Sequence, residues 1–153
     1  MIQILLAIFV LFSAYDRKDW ISQSSWKKAR IRVLERDRIN KYWICKYSGI
    51  KIKSKSEVDI DHVIPLSYAN SHCGDTLSES RKRQFATDTL NLVATSRKQN
   101  RSKGDDGVLE YMPHDNQCWY LDRWSRVSKK YGICLTPAES GYIQRGTSAC
   151  YGK

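Results

Sequence analysis

The 153-residue sequence has no C-x-x-C pair among its five cysteines, which excludes the usual ligand spacing of a structural zinc site. No apolar run reaches the roughly 20 residues that a membrane-spanning helix needs. Internal repeats, low-complexity segments and interdomain linkers are also missing from the body of the chain, and its length suits one domain around one core. Acidic side chains are few: 16 Asp and Glu stand against 26 Lys and Arg, for a net charge of +10. The excess is uneven. Between Arg81 and Lys103, the residues Arg81, Lys82, Arg83, Arg97, Lys98, Arg101 and Lys103 face Asp88 alone, a net of +6 in 23 residues. Such a stretch attracts polyanions, most plausibly nucleic-acid phosphates. Charge alone fits an ordinary solvated basic surface equally well.

The first 15 residues, MIQILLAIFVLFSAY, carry no charged side chain and are almost wholly apolar from Ile2 to Phe12. Their length suits the apolar region of a signal peptide better than a spanning helix. Export to a secreted or periplasmic location is the expectation, with 1–15 as leader, 16–153 as the functional domain and no stable membrane association once the leader is cleaved. An uncleaved anchor and a buried N-terminal helix are the alternatives. Cys45, Cys73, Cys118, Cys134 and Cys150 fit an oxidising compartment. An odd count leaves at least one thiol without an intrachain partner. Cys118 and Cys150, which flank the C-terminal region, are the expected disulfide.

Local patterns place the elements. SSWKKARIRVLERDRI reads as a helix capped by Ser24 or Ser25, with Trp26, Ala29, Val33 and Leu34 on its apolar face. A turn at Ser48-Gly49 leads into extended chain. Thr76 and Glu79 offer a capping box for a short basic helix. TLNLVAT is a strand ending at Thr95 or Ser96, where a helix begins that Gly104 stops. Tyr120, Trp124, Val127 and Tyr131 recur at helical spacing before Gly132, a stripe better suited to core packing than to stacking bases. TPAE, from Thr136 to Glu139, supplies the cap, the proline and the acid of a last helix.

One stretch resists this reading. VDIDHVIPL, Val58 to Leu66, sets Asp59, Asp61 and His62 inside an apolar strand pattern. In a regular strand Asp61 and His62 point to opposite faces, but Pro65 ends the strand, and at such an end both can serve one site. With the following strand and helix they form a strand–strand–helix unit. Phosphodiester hydrolysis needs a base, a cation and a hold on the phosphate. His62 can be the base. Asp61 is a hard oxygen ligand for Mg²⁺, and Asn100 can add a neutral carbonyl oxygen. Lys103 and Arg101 are natural phosphate contacts, as are Arg97 and Lys98 of the basic stretch. Asp59 is expected to support the site or face solvent. His72 and His114, in polar surroundings, are weak metal candidates.

DIDHVIPL followed by NLVATSRKQNRSKGD resembles the HNH, or ββα-metal, nucleases, in the variant where an Asn replaces the last His of the name. The nine positions from Asn91 to Asn100 look like the HNH domain of CRISPR effector nucleases. The run from DIDHVIPLSYA through FATDTLNLVATSRKQNRSKGDDGVLEYMP, with the later CWYLDRW and KKYGICLTPAE, is closer still to the GmrSD-type HNH family. The resemblance covers roughly Cys45 to Cys150. It implies Asp61 and Asn100 as metal ligands and His62 as general base. It further implies Asn91 as the residue holding the loop that orients His62, and Lys103 beside the scissile phosphate.

The expected fold is α+β: a ββα-metal hairpin and helix packed among additional helices in a single domain. The expected function is a monomeric endonuclease that uses one Mg²⁺ or Mn²⁺ ion to hydrolyse DNA with low sequence specificity, leaving 5′-phosphate and 3′-hydroxyl ends. Activity is expected to fall on the acid side as His62 protonates. The alternatives are a secreted nucleic-acid-binding module that has lost catalysis and an RNA-cleaving toxin.

Overall fold

Two short helices open the part of the chain described by the computed structural model, residues 15–152. The expected leader therefore lies outside the described residues, apart from Tyr15. α1 (Arg17–Trp20) starts where the Asp16 carboxylate accepts from the Lys18 N–H, and it ends on Trp20, fully buried. α2 (Gln23–Arg36) buries Ala29, Val33 and Leu34 of the expected face, while Trp26 is half-buried. Its cap is Ser22 rather than Ser24 or Ser25. Ser22 is the last residue with extended backbone, and its Oγ accepts the Ser25 N–H at 3.3 Å, so Ser24 and Ser25 already belong to the first turn.

Three short strands, β1 (Arg38–Ile39), β2 (Tyr42–Ile44) and β3 (Lys51–Ile52), then pair antiparallel in that order. The expected turn at Ser48-Gly49 joins the last two, with Gly49 at φ +67°, where a side chain would strain the backbone.

β4 (Val58–His62) leads to two helices. α3 (Leu66–Cys73), which the sequence patterns did not suggest, begins directly after Pro65. α4 (Glu79–Thr87) is the expected basic helix, but its cap is Ser78, whose Oγ accepts from the Arg81 N–H, because the Thr76 hydroxyl donates instead to the Cys73 carbonyl. β5 (Leu92–Ser96) returns antiparallel to β4, setting Val58 opposite Ser96, Ile60 opposite Ala94 and His62 opposite Leu92.

A two-stranded ladder has two open edges, which must find partners if buried. On β5, the Ala94 N–H donates to Asp37 Oδ2, the Leu92 carbonyl accepts from Arg36, and the Ser96 N–H donates to Cys45 Sγ. α5 (Arg97–Lys103) follows β5 without a linker, capped by Ser96 Oγ on the Gln99 N–H and stopped at Gly104, as expected.

α6 (Gln117–Tyr131) and α7 (Pro137–Tyr151) close the fold as a helical hairpin. Tyr120, Trp124, Val127 and Tyr131 are all buried, so the aromatic stripe is core. Gly132 ends α6 at φ +67°, and Thr136 with Glu139 forms the expected capping box of α7. The expected disulfide, Cys118–Cys150, joins the two helices. The whole is a mixed α+β domain of small antiparallel sheets, with seven α-helices among the described residues.

Phe85 of α4 links the two ends of the chain. Fully buried, it meets the ring of Trp20 edge-on at 5.6 Å and that of Tyr131 at 5.2 Å. Phe85→Ala is expected to lower the unfolding free energy by about 3–5 kcal/mol, read from urea denaturation. A loss below about 1 kcal/mol would mean that the site collapses around the missing ring.

Candidate active site

Asp61 and His62 hold the last two positions of β4. Strict alternation would separate them, but the ladder ends at His62 and the chain turns through Val63 to Pro65. Both therefore line one open cleft of about 440 Å³, together with Asn100 from α5. Tyr15, Arg17 and Asp105 border the same cleft.

Asp61 is 7 % exposed, and its Oδ2 accepts from the Tyr47 hydroxyl at 2.7 Å and from Lys103 Nζ at 3.1 Å. Both donors fall on Oδ2. Burial pushes the Asp61 carboxyl up, while the Lys103 ammonium and the Tyr47 hydroxyl pull against it; the net direction is upward.

His62 sets its Nε2 2.8 Å from the Ala86 carbonyl. A carbonyl can only accept, so Nε2 carries the hydrogen and Nδ1 keeps the lone pair. The ring stacks on Trp26, centroids 5.3 Å apart and 18° from parallel. Burial lowers the imidazole to about 3, against the support of the Ala86 carbonyl, and the positive charges of Arg17 and Lys103 add to the depression. His62 is thus a neutral imidazole over the physiological range.

The turn after His62 is clamped from two sides. Asn91, fully buried, accepts the Ile64 N–H on Oδ1 at 2.9 Å and donates from Nδ2 to the Ile64 carbonyl at 3.1 Å. Its own carbonyl accepts the Val63 N–H. Lys103 Nζ donates to the His62 carbonyl at 2.9 Å. Lys103 is 1 % exposed and lies beneath the cleft rather than on its wall. The side chain expected beside a phosphate is here engaged by strand and carboxylate.

Asn100 donates from Nδ2 to Asp59 Oδ2 at 3.3 Å, which leaves its carbonyl oxygen as the free end. Asp59 also lies 3.9 Å from Arg97 Nε, so it supports the helix from behind. Arg97, Lys98 and Arg101 are exposed on α5. The rest of the basic run faces elsewhere: Arg81 donates to the Lys130 carbonyl, Lys82 covers the Trp20 ring and Arg83 pairs with Glu79. The cations of the run therefore take different partners rather than one. His72 stacks on Tyr68 and His114 lies beside Asp115, neither at the cleft.

Tyr47, Trp26, Arg17 and Asp105 were not foreseen as site residues. Trp26 read as one more apolar position on α2, and Tyr47 sits in a turn with no chemical pattern around it. Asp105, two residues beyond Lys103, lay within the quoted motif without a role of its own.

The donor set suits a small hard cation. Asp61 and Asn100 offer a carboxylate and an amide oxygen at one cleft, the sparse oxygen ligation with which Mg²⁺ keeps several waters. Among the described residues no cluster of three or more His, Cys, Asp and Glu forms a cation cage.

The buried imidazole makes stability depend on pH. The unfolded chain protonates His62 near pH 6.5, whereas the fold resists protonation down to about 3. The contribution is therefore whole above about pH 6.5 and is lost as pH falls below it. The melting temperature in EDTA is expected to drop from about pH 7 to 4, and His62→Gln, which cannot titrate, should flatten part of that slope. Parallel curves for the two proteins would assign the slope to other groups.

Residues 14–142 match the family described as GmrSD restriction endonucleases, C-terminal domain. The chain is also 31% identical over 146 residues to an uncharacterized secreted protein of Arthroderma benhamiae, covering 86% of this chain and 72% of that one. No solved structure matches. The matched residues include β4, β5 and α5, with every residue placed at the cleft. The chain belongs to the GmrSD restriction endonuclease C-terminal domain family, an HNH-like nuclease family.

Proposed function

We propose that this protein is an exported, monomeric endonuclease that hydrolyses DNA phosphodiester bonds with low sequence specificity, with His62 as general base and one Mg²⁺ or Mn²⁺ ion. The observation that carries the reading is the His62 ring. Its Nε2–H is fixed on the Ala86 carbonyl, so the neutral Nδ1 is the basic atom left at a cleft that also holds Asp61 and Asn100.

In this reading Asp61 and Asn100 would hold the ion. When bound, the ion supplies neutralising charge to the phosphate and the departing oxygen. His62 Nδ1 takes the proton of the attacking water. The water oxygen bonds to phosphorus as the P–O3′ bond breaks, and the departing O3′ takes a proton from solvent water, which leaves 5′-phosphate and 3′-hydroxyl ends. Trp26 and the Ala86 carbonyl fix the ring, and Asn91 fixes the turn behind it. Lys103 acts by positioning, since its ammonium touches Asp61 and the His62 carbonyl. Arg97, Lys98 and Arg101 contact phosphates from the exposed side of α5, and Arg17 does so at the cleft itself. These contacts read backbone rather than bases, which supports low specificity. The Cys118–Cys150 disulfide and the secreted relative support a site of action outside the cell.

A plasmid digest tests this. Cleavage is expected with Mg²⁺ or Mn²⁺ and none with EDTA, and His62→Ala and Asn100→Ala are expected to lose at least about 100-fold in rate while still folding. Full activity of His62→Ala would remove the proposed base. Binding that survives EDTA, with no cleavage under any divalent ion, would favour a non-catalytic binding module. Preferential loss of RNA in a competition digest would favour a toxin. With the imidazole depressed to about 3, the acid limb of the rate profile is expected below pH 6.5. Arg101→Ala is expected to weaken binding about equally on all sequences and to reduce the salt slope by about one charge.

A further inference from the structure

We infer that Cys73 and Cys134 form a second disulfide, which pins the end of α3 to the connection between α6 and α7. Cys118 and Cys150 are already joined, and Cys45, Cys73 and Cys134 remain as thiols. Two of those three meet. The Cys134 N–H donates to Cys73 Sγ at 3.3 Å across 61 residues of sequence, which brings the Cys134 backbone against the Cys73 sulfur. Disulfides span Cα separations of roughly 4.4–6.8 Å, within reach of such a contact. The third thiol is differently placed. Cys45 is fully buried between Thr95 Oγ1 at 3.1 Å and the Ser96 N–H at 3.4 Å, and it touches no other cysteine.

The pair also has the asymmetry that exchange chemistry uses. Cys134 is exposed, whereas Cys73 is buried, and burial, with the neighbouring Cys134 thiol, pushes the Cys73 thiol up to about 11. A small disulfide such as oxidised glutathione therefore meets Cys134 first. The Cys134 thiolate attacks it, forming a mixed disulfide and expelling one glutathione thiolate. Cys73 then loses its proton and attacks Cys134 Sγ, which closes the Cys73–Cys134 bond and releases the second glutathione. Two protein thiols lose two protons and two electrons, and the oxidant gains both as two thiols.

The cross-link would reach the cleft. Cys73 is the last residue of α3, and the first turn of that helix, Leu66 and Ser67, lines the cleft wall. Joining its far end to the α6–α7 connection fixes the axis of that wall. The inference does not rest on the nuclease reading, since it needs only thiol geometry and an oxidising compartment.

The full chain, exported into an oxidising compartment or refolded with oxidised and reduced glutathione, is denatured and alkylated without reductant and weighed. One alkylated cysteine is expected, Cys45, with a non-reduced digest containing a peptide pair linked through Cys73 and Cys134. Cys134→Ser is expected to raise the count to two by freeing Cys73. Three alkylated cysteines in the wild type would overturn the inference. So would a dimer linked through Cys134 that leaves Cys73 alkylated.

Discussion

The ammonium of Lys103 is the contact on which the geometry of the cleft depends. It is 1 % exposed and lies 3.1 Å from Asp61 Oδ2 and 2.9 Å from the His62 carbonyl. Placing a charge there carries a desolvation cost of several kcal/mol, tolerable only where an opposite charge and further hydrogen bonds compensate. Asp61 supplies the charge, and Tyr47, itself buried, holds Asp61 from the other side. Lys103 belongs to the last turn of α5 and both its acceptors to β4. One side chain thus fastens helix to strand. Asn100, a turn earlier on that helix, lines the same cleft as Asp61.

Desolvation acts on the two neighbours in opposite senses. Asp61 and His62 are each 7 % exposed, yet the carboxyl is pushed up and the imidazole down, because burial disfavours whichever form is charged. The imidazole stays a neutral acceptor at Nδ1, and the carboxyl group, already paired with one buried ammonium, gains from a further cation. The Ala86 carbonyl completes the arrangement by fixing the tautomer, a role that backbone plays as well as a side chain would.

The ladder and helix that carry the site were legible because their signals are local. Alternating apolar residues end at Pro65, TLNLVAT runs into a Ser cap, and Gly104 stops the helix. Asp61 and His62 could be named for the same reason, since each is a polar residue whose cost in an apolar pattern asks for compensation, whereas Asn100, in the polar run RKQNRSK, was named by its spacing from Asn91 in the family resemblance. Tyr47 and Trp26 could not. They arrive through tertiary packing, from a turn and from another helix, and an aromatic in either place looks like core until its neighbour is known. Lys103 was legible as a residue but not as a contact. A lysine in a basic run reads as surface, and only the fold reveals that this one points inward. The partners of the basic run were hidden for a related reason, since α4 and α5, with β5 between them in sequence, turn their charges to different neighbours. The helix caps slipped by two or three residues where several serines and threonines compete for one role.

Far along the chain, the C-terminal hairpin bears on the same site through α3. Glu139 of α7 is buried and acts twice. Its Oε2 accepts from the backbone and hydroxyl of Thr136, closing its own helix cap, and its Oε1 accepts from the Tyr68 hydroxyl of α3 at 2.6 Å. Tyr68 in turn meets Trp124 of α6 edge-on at 5.1 Å. Among the described residues the sheets have three and two strands, which gives no broad sheet face on which to seat every helix. The helices must then be oriented by point contacts, and α3 is held by hydrogen bond and ring contact from both arms of the hairpin. Because α3 starts at the very turn that displays His62, those contacts, 56 and 71 residues away from Tyr68 in sequence, set the wall of the cleft.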